Sequence, residues 1–124
     1  AKRAVLLPVS APFHSSLIRP AAEKLAARLA ELEFKVPSIP VINNVDVAIE
    51  SDPLRIKDAL IRQAYSPVRW VETIQKMAAM GMTEVAECGP GKVLAGLVKR
   101  SADGVTGIAL ADAAAIDATL PILG

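Results

Sequence analysis

The sequence has one cysteine, Cys88, and one histidine, His14, in 124 residues. A lone cysteine excludes an internal disulfide framework and any multi-cysteine metal site, and a reducing cytoplasm is the simpler setting. Charge of one sign is also lacking. With 14 basic and 13 acidic side chains the net charge is +1, so no field favours nucleic acid or an acidic membrane. No stretch reaches the roughly 18 apolar residues that span a bilayer, and the opening Ala4–Leu7 run is too short for a secretory signal, so a soluble chain is expected. The start has no initiator Met and enters a strand-like run within three residues, which reads as a cut in a longer chain. Internal repeats and low-complexity segments are absent apart from an alanine-rich tail.

What is present fits one globular domain or a substantial piece of a larger one: 52% of residues are hydrophobic and 22% charged. Residues 4–10 read as a short strand ending near Pro8, which cannot donate to a ladder. Leu17, Ala21, Leu25 and Leu29 then recur at helical spacing, with Ser15 or Ser16 as N-cap and Pro20 in the first turn. Val41–Val45 reads as an edge strand. Asp52-Pro53 opens a second helix that Ser66-Pro67 stops, and Trp70, Ile74 and Met77 stripe a third that ends at Gly81. Thr83–Cys88 is a candidate strand, followed by Gly89-Pro90-Gly91 and a helix carrying Val93, Leu94, Leu97 and Val98. Val105–Leu110 gives a last strand, and Asp112 to Leu120 a last helix. Alternating strands and helices predict an α/β layer with parallel pairing, because a parallel neighbour needs a crossover. Four short strands leave little central protection, which places neighbouring strands in chain outside this one.

Few residues carry chemistry. His14 stands at a loop-to-helix junction, where an imidazole that titrates near neutrality can take and return a proton. On position alone a bland loop histidine is the better reading. Ser15 and Ser16 are explained by capping more cheaply than by nucleophilic catalysis, and no Gly-x-Ser-x-Gly elbow occurs. Gly89-Pro90-Gly91-Lys92 can hold an anion at a helix start. It lacks the spacing of a P-loop or a dinucleotide fingerprint, so a structural tight turn is favoured. Lys92, Lys99 and Arg100 can form a small basic patch suited to an acidic carrier protein or a coenzyme phosphate. Cys88, Trp70, Met77 and Met80 read as buried apolar groups, and Glu23, Glu31, Glu84 and Glu87 as solvated faces. No metal site is expected.

Four segments in order, Leu7–Ser15 (LPVSAPFHS), Pro40–Val45 (PVINNV), Tyr65–Trp70 (YSPVRW) and Glu87–Leu94 (ECGPGKVL), closely resemble the C-terminal two-fifths of bacterial malonyl-CoA:acyl-carrier-protein transacylases. The resemblance implies the C-terminal part of an α/β-hydrolase-like acyltransferase large subdomain, residues 11–124. Residues 1–10 would supply the last strand of an inserted ferredoxin-like subdomain and the hinge. It implies ping-pong acyl transfer in fatty-acid biosynthesis, with malonyl-CoA as substrate rather than cofactor and acyl carrier protein as partner. His14 falls on the family's general base. Gln63 falls on the residue whose main-chain carbonyl orients that base, so its side chain should matter less than His14. Phe13 falls on an aromatic that crowds out α-branched acyl groups. The serine nucleophile, the carboxylate-binding arginine and the oxyanion hole would lie in the missing N-terminal part, so this chain alone should not turn over. The competing readings are an acyltransferase domain of a polyketide or fatty-acid synthase, and a non-catalytic module that binds carrier protein or CoA.

Overall fold

A computed structural model describes residues 4–6 and 9–123, which fall into two compact units, one up to Val68 and one from Arg69. In the first, a 3-10 turn at Ser16–Ile18 leads into α1 (Arg19–Ala30), and α2 (Pro53–Tyr65) packs against α1. Pro20 occupies the first turn of α1, where a missing N–H costs no hydrogen bond. Asp52 caps α2 by accepting the N–H of Leu54 at 2.8 Å, with Pro53 preset for the first helical position. Ala22 and Leu29 of α1 and Ala59 of α2 are buried. Leu17 and Leu54 lie exposed, so the apolar stripes are wider than the surface this unit covers.

The segment between these helices departs from expectation. Val41–Val45 does not form a strand; Ile42 and Ile49 make one antiparallel bridge across a tight turn. The reason is local: Asn43 donates its N–H to the Ala48 carbonyl at 2.9 Å and its side-chain amide to the same oxygen at 3.0 Å. Its side-chain oxygen accepts the N–H of Asp46 at 2.8 Å. An asparagine that satisfies its own neighbours closes a turn instead of joining a ladder. Residues 4–6 and Val9 form no strand either, and Leu7 and Pro8 of that expected strand lie outside the described residues. Ser15 does not cap with its side chain; its hydroxyl donates back to the Pro12 carbonyl at 2.8 Å, and α1 starts only at Arg19.

The second unit is a β-α-β element with flanking helices: α3 (Trp70–Ala79), β1 (Glu84–Cys88), α4 (Val93–Ser101), β2 (Thr106–Leu110) and α5 (Ala113–Leu123). The strands pair in parallel with Glu84 opposite Thr106 and Cys88 opposite Leu110, and α4 is the crossover this direction requires. Ile74, Val98 and Val105 form the core, with Trp70, Met77 and Val85 packed around it, while Met80 is exposed. The helix and sheet meet closely at Gly107: a Cβ there would stand 2.1 Å from the Ala95 carbonyl oxygen. Asp112 caps α5 through the N–H of Ala115 at 2.8 Å.

Candidate active site

His14 leaves the Pro12-Phe13 turn with a φ of 57°, in the left-handed region that a side chain enters only at a steric cost. That conformation directs the imidazole to the C-terminal end of α2. Nδ1 lies 3.1 Å from the Gln63 carbonyl oxygen and 3.2 Å from that of Ser66. Both partners are carbonyl oxygens with no proton to give, so Nδ1 carries the hydrogen and donates. The neutral ring then has its lone pair on Nε2. His14 is exposed, and that nitrogen is the one able to accept a proton.

The chain supplies these acceptors through a proline. In a continuing helix the N–H of residue 67 would close on the carbonyl of Gln63, and Pro67 has none. Ser66 has already turned to extended geometry, with φ −107° and ψ 152°. Two carbonyls at the negative end of the α2 dipole therefore stand where many hydrolases place a carboxylate. The Gln63 acceptor is the one the resemblance implied. Ser66 was missed, although a helix-stopping Ser-Pro was the available sign that carbonyls are left unpaired there. Phe13 adjoins His14 and is exposed, 62% of its surface being accessible. Ser15 and Ser16 take no part in this cluster. Among the described residues no group of three or more His, Cys, Asp or Glu side chains could hold a metal ion.

The glycine turn of the second unit presents a different picture. Gly89 and Gly91 have φ of 141° and 104°, values that favour glycine. Glu87 is not a solvated face. It is half-buried, and its carboxylate accepts the N–H of Ala95 at 2.8 Å, in the first turn of α4. A resident anion on that helix start supports the structural reading of the turn over a phosphate site. Cys88 is exposed instead of buried. Lys92, Lys99 and Arg100 are exposed.

The malonyl CoA-acyl carrier protein transacylase of Salmonella typhimurium is 52% identical over 120 residues, 97% of this chain and 39% of the relative. That of Bacillus subtilis is 46% identical over 99% of this chain. By sequence the chain is a relative of the malonyl CoA-acyl carrier protein transacylases. The fold agrees. An acyl carrier protein S-malonyltransferase from Vibrio cholerae superposes with a TM-score of 0.90 at 58% identity over 95% of this chain. A malonyl-transacylase solved with its type II polyketide acyl carrier protein superposes with a TM-score of 0.93 at 45% identity over 98%. The chain spans about two-fifths of the length of these transacylases. No family model matches it.

Proposed function

We propose that this chain supplies the general base to a malonyl-CoA:acyl-carrier-protein transacylase of fatty-acid biosynthesis, whose serine nucleophile lies elsewhere in the enzyme. The observation that carries the reading is the fixed imidazole: Nδ1–H held by the carbonyls of Gln63 and Ser66, with Nε2 left to exchange protons. In the first half-reaction Nε2 removes the serine proton as the serine oxygen attacks the malonyl thioester. Collapse of the tetrahedral intermediate expels the CoA thiolate, which takes the proton back from the imidazolium. In the second half Nε2 removes the proton of the phosphopantetheine thiol, the sulfur attacks the malonyl-serine ester, and the departing serine oxygen is reprotonated. Gln63 and Ser66 keep Nδ1–H donated throughout and stabilise the imidazolium as it forms. Phe13 narrows the acyl site toward malonyl and against α-branched groups. No cofactor enters this scheme.

The same reading makes residues 1–10 the end of a small ferredoxin-like subdomain with its hinge and residues 11–124 the C-terminal part of the large α/β subdomain. The chain alone is inactive. Its partners are malonyl-CoA, acyl carrier protein and the N-terminal part of the enzyme, in the cytoplasm. The relative solved with a polyketide carrier protein favours one variant, in which the same transfer serves polyketide assembly.

Intact-mass spectrometry before and after addition of malonyl-CoA, under denaturing conditions, tests this. A companion chain should gain one malonyl group, and His14→Ala in the assembled enzyme should slow that labelling by about 10²- to 10⁴-fold. Malonylation of this chain itself would overturn the assignment.

A further inference from the structure

The last turn of α2 grips the Asn43–Ala48 turn with two successive side chains. Arg62 holds both carboxylate oxygens of Asp46 at 2.7 Å and also binds Asp58 within its own helix. Gln63 accepts the main-chain N–H of Asn44 on its side-chain oxygen at 2.8 Å. The main-chain oxygen of the same Gln63 receives the His14 Nδ1 proton. One residue is therefore joined to the turn by its side chain and to the imidazole by its backbone. That side chain also lines a largely apolar pocket of about 290 Å³ with Val41, Ile56 and Leu60, and its bond to Asn44 anchors its oxygen there. The far side of the joint is stiff, because Asn43 closes the turn with the three bonds described above and Asp46 is fixed by Arg62.

We propose that the Gln63 side chain is a positioning element for His14: by capturing Asn44 it fixes the last turn of α2 at the angle that presents a main-chain carbonyl to Nδ1–H. The proposal rests on the reading of His14 as the general base. Without the side-chain oxygen, the end of α2 can rotate, the Gln63 carbonyl turns toward water, and the imidazole loses that carbonyl's share of its tautomeric bias, with Ser66 left to hold Nδ1–H. A merely structural glutamine would lower the melting temperature on replacement and leave the tautomer alone.

The single histidine makes the test direct. Long-range ¹H–¹⁵N spectra of the labelled chain, above the pH at which the ring protonates, report which nitrogen carries the hydrogen. The parent should show Nδ1–H in excess. Gln63→Met keeps the length of the side chain and removes its oxygen, and should lower the Nδ1–H to Nε2–H ratio by up to about fivefold, the worth of one hydrogen bond. Gln63→Glu keeps an acceptor within the same reach and should retain the parent ratio. Amide spectra establish that each variant is folded. A folded Gln63→Met with the parent ratio, or a folded Gln63→Glu that loses it, overturns the proposal while the general-base reading stands. Should Gln63→Met not fold, Gln63→Glu decides alone. A parent chain with Nε2–H in excess overturns the general-base reading and this proposal together.

Discussion

Two glycines on facing elements of the second unit should respond to alanine in opposite directions. At Gly107 in β2, a Cβ would meet the Ala95 carbonyl oxygen at 2.1 Å, its carbonyl carbon at 2.7 Å and its Cα at 2.8 Å. All three are backbone atoms, so no rotamer change relieves the clash. To restore ordinary contact α4 must retreat by about an ångström, and Ala95 is also the residue whose N–H binds Glu87 at 2.8 Å. The same movement stretches that bond, and Val98, on the same helix, is drawn away from Ile74 and Val105. Overpacking of this kind costs about 2–3 kcal/mol. At roughly 4 °C per kcal/mol this lowers the melting temperature by about 8–12 °C. Gly96 lies in the exposed middle of α4 with open space around its missing Cβ. Gly96→Ala should therefore add about 0.5–1 kcal/mol from reduced chain entropy alone, a rise of about 2–4 °C. Thermal unfolding followed by far-UV circular dichroism reads both. A Gly107→Ala chain that melts within about 2 °C of the parent refutes the close approach of α4 to β2.

Pro67→Ala restores an N–H that can close on the Gln63 carbonyl and compete with His14 for it. The Nδ1–H to Nε2–H ratio of His14 should fall by a few-fold at unchanged fold, read by the same ¹⁵N spectra; about one hydrogen bond is at stake. The pairing of Glu72 with the Arg69 guanidinium at the start of α3 holds its carboxyl below the ordinary glutamate range. A lowered native value means stability that is present at neutral pH and lost as the pH falls through that value. Glu72→Gln should be slightly less stable than the parent at pH 7 and should flatten the acid limb of its stability profile, measured by urea unfolding between pH 7 and pH 3.

Local punctuation was readable wherever one residue decides the outcome. Asp52-Pro53 and Ser66-Pro67 bracket α2 as they stand in the sequence, and the Gly89-Pro90-Gly91 turn divides β1 from α4. The parallel pairing of β1 with β2 followed from the helix between them. Burial was harder to read. Cys88 sits in an apolar run and is exposed, and Met80 and Leu17 have apolar periodicity without cover, because periodicity says which face could be buried and not what lies against it. Val41–Val45 has strand composition, yet Asn43 supplies a complete set of partners for a turn. At the site, His14 stood out as the lone imidazole, but on position alone it read as a bland loop histidine, and both its proposed role and that of Gln63 came only through family resemblance. The second carbonyl, at Ser66, was signalled only by the helix-stopping Ser66-Pro67, and the hold of Gln63 on Asn44 has no sequence signal of its own, since it arises from residues brought together across the fold.

The left-handed backbone at His14 separates what this position does for the fold from what it offers to chemistry. A glycine would occupy a φ of 57° without the roughly 1–2 kcal/mol that a side chain costs there. Against this stands the loss of two hydrogen bonds made by an exposed ring. Removing the imidazole is thus close to neutral for folding, and screens that select for heat resistance alone have little reason to keep a histidine at position 14. On the general-base reading proposed above, its retention is selected through turnover of the assembled enzyme, and a pool of stabilised variants should be sorted by activity in that assembly before any of them is taken as improved.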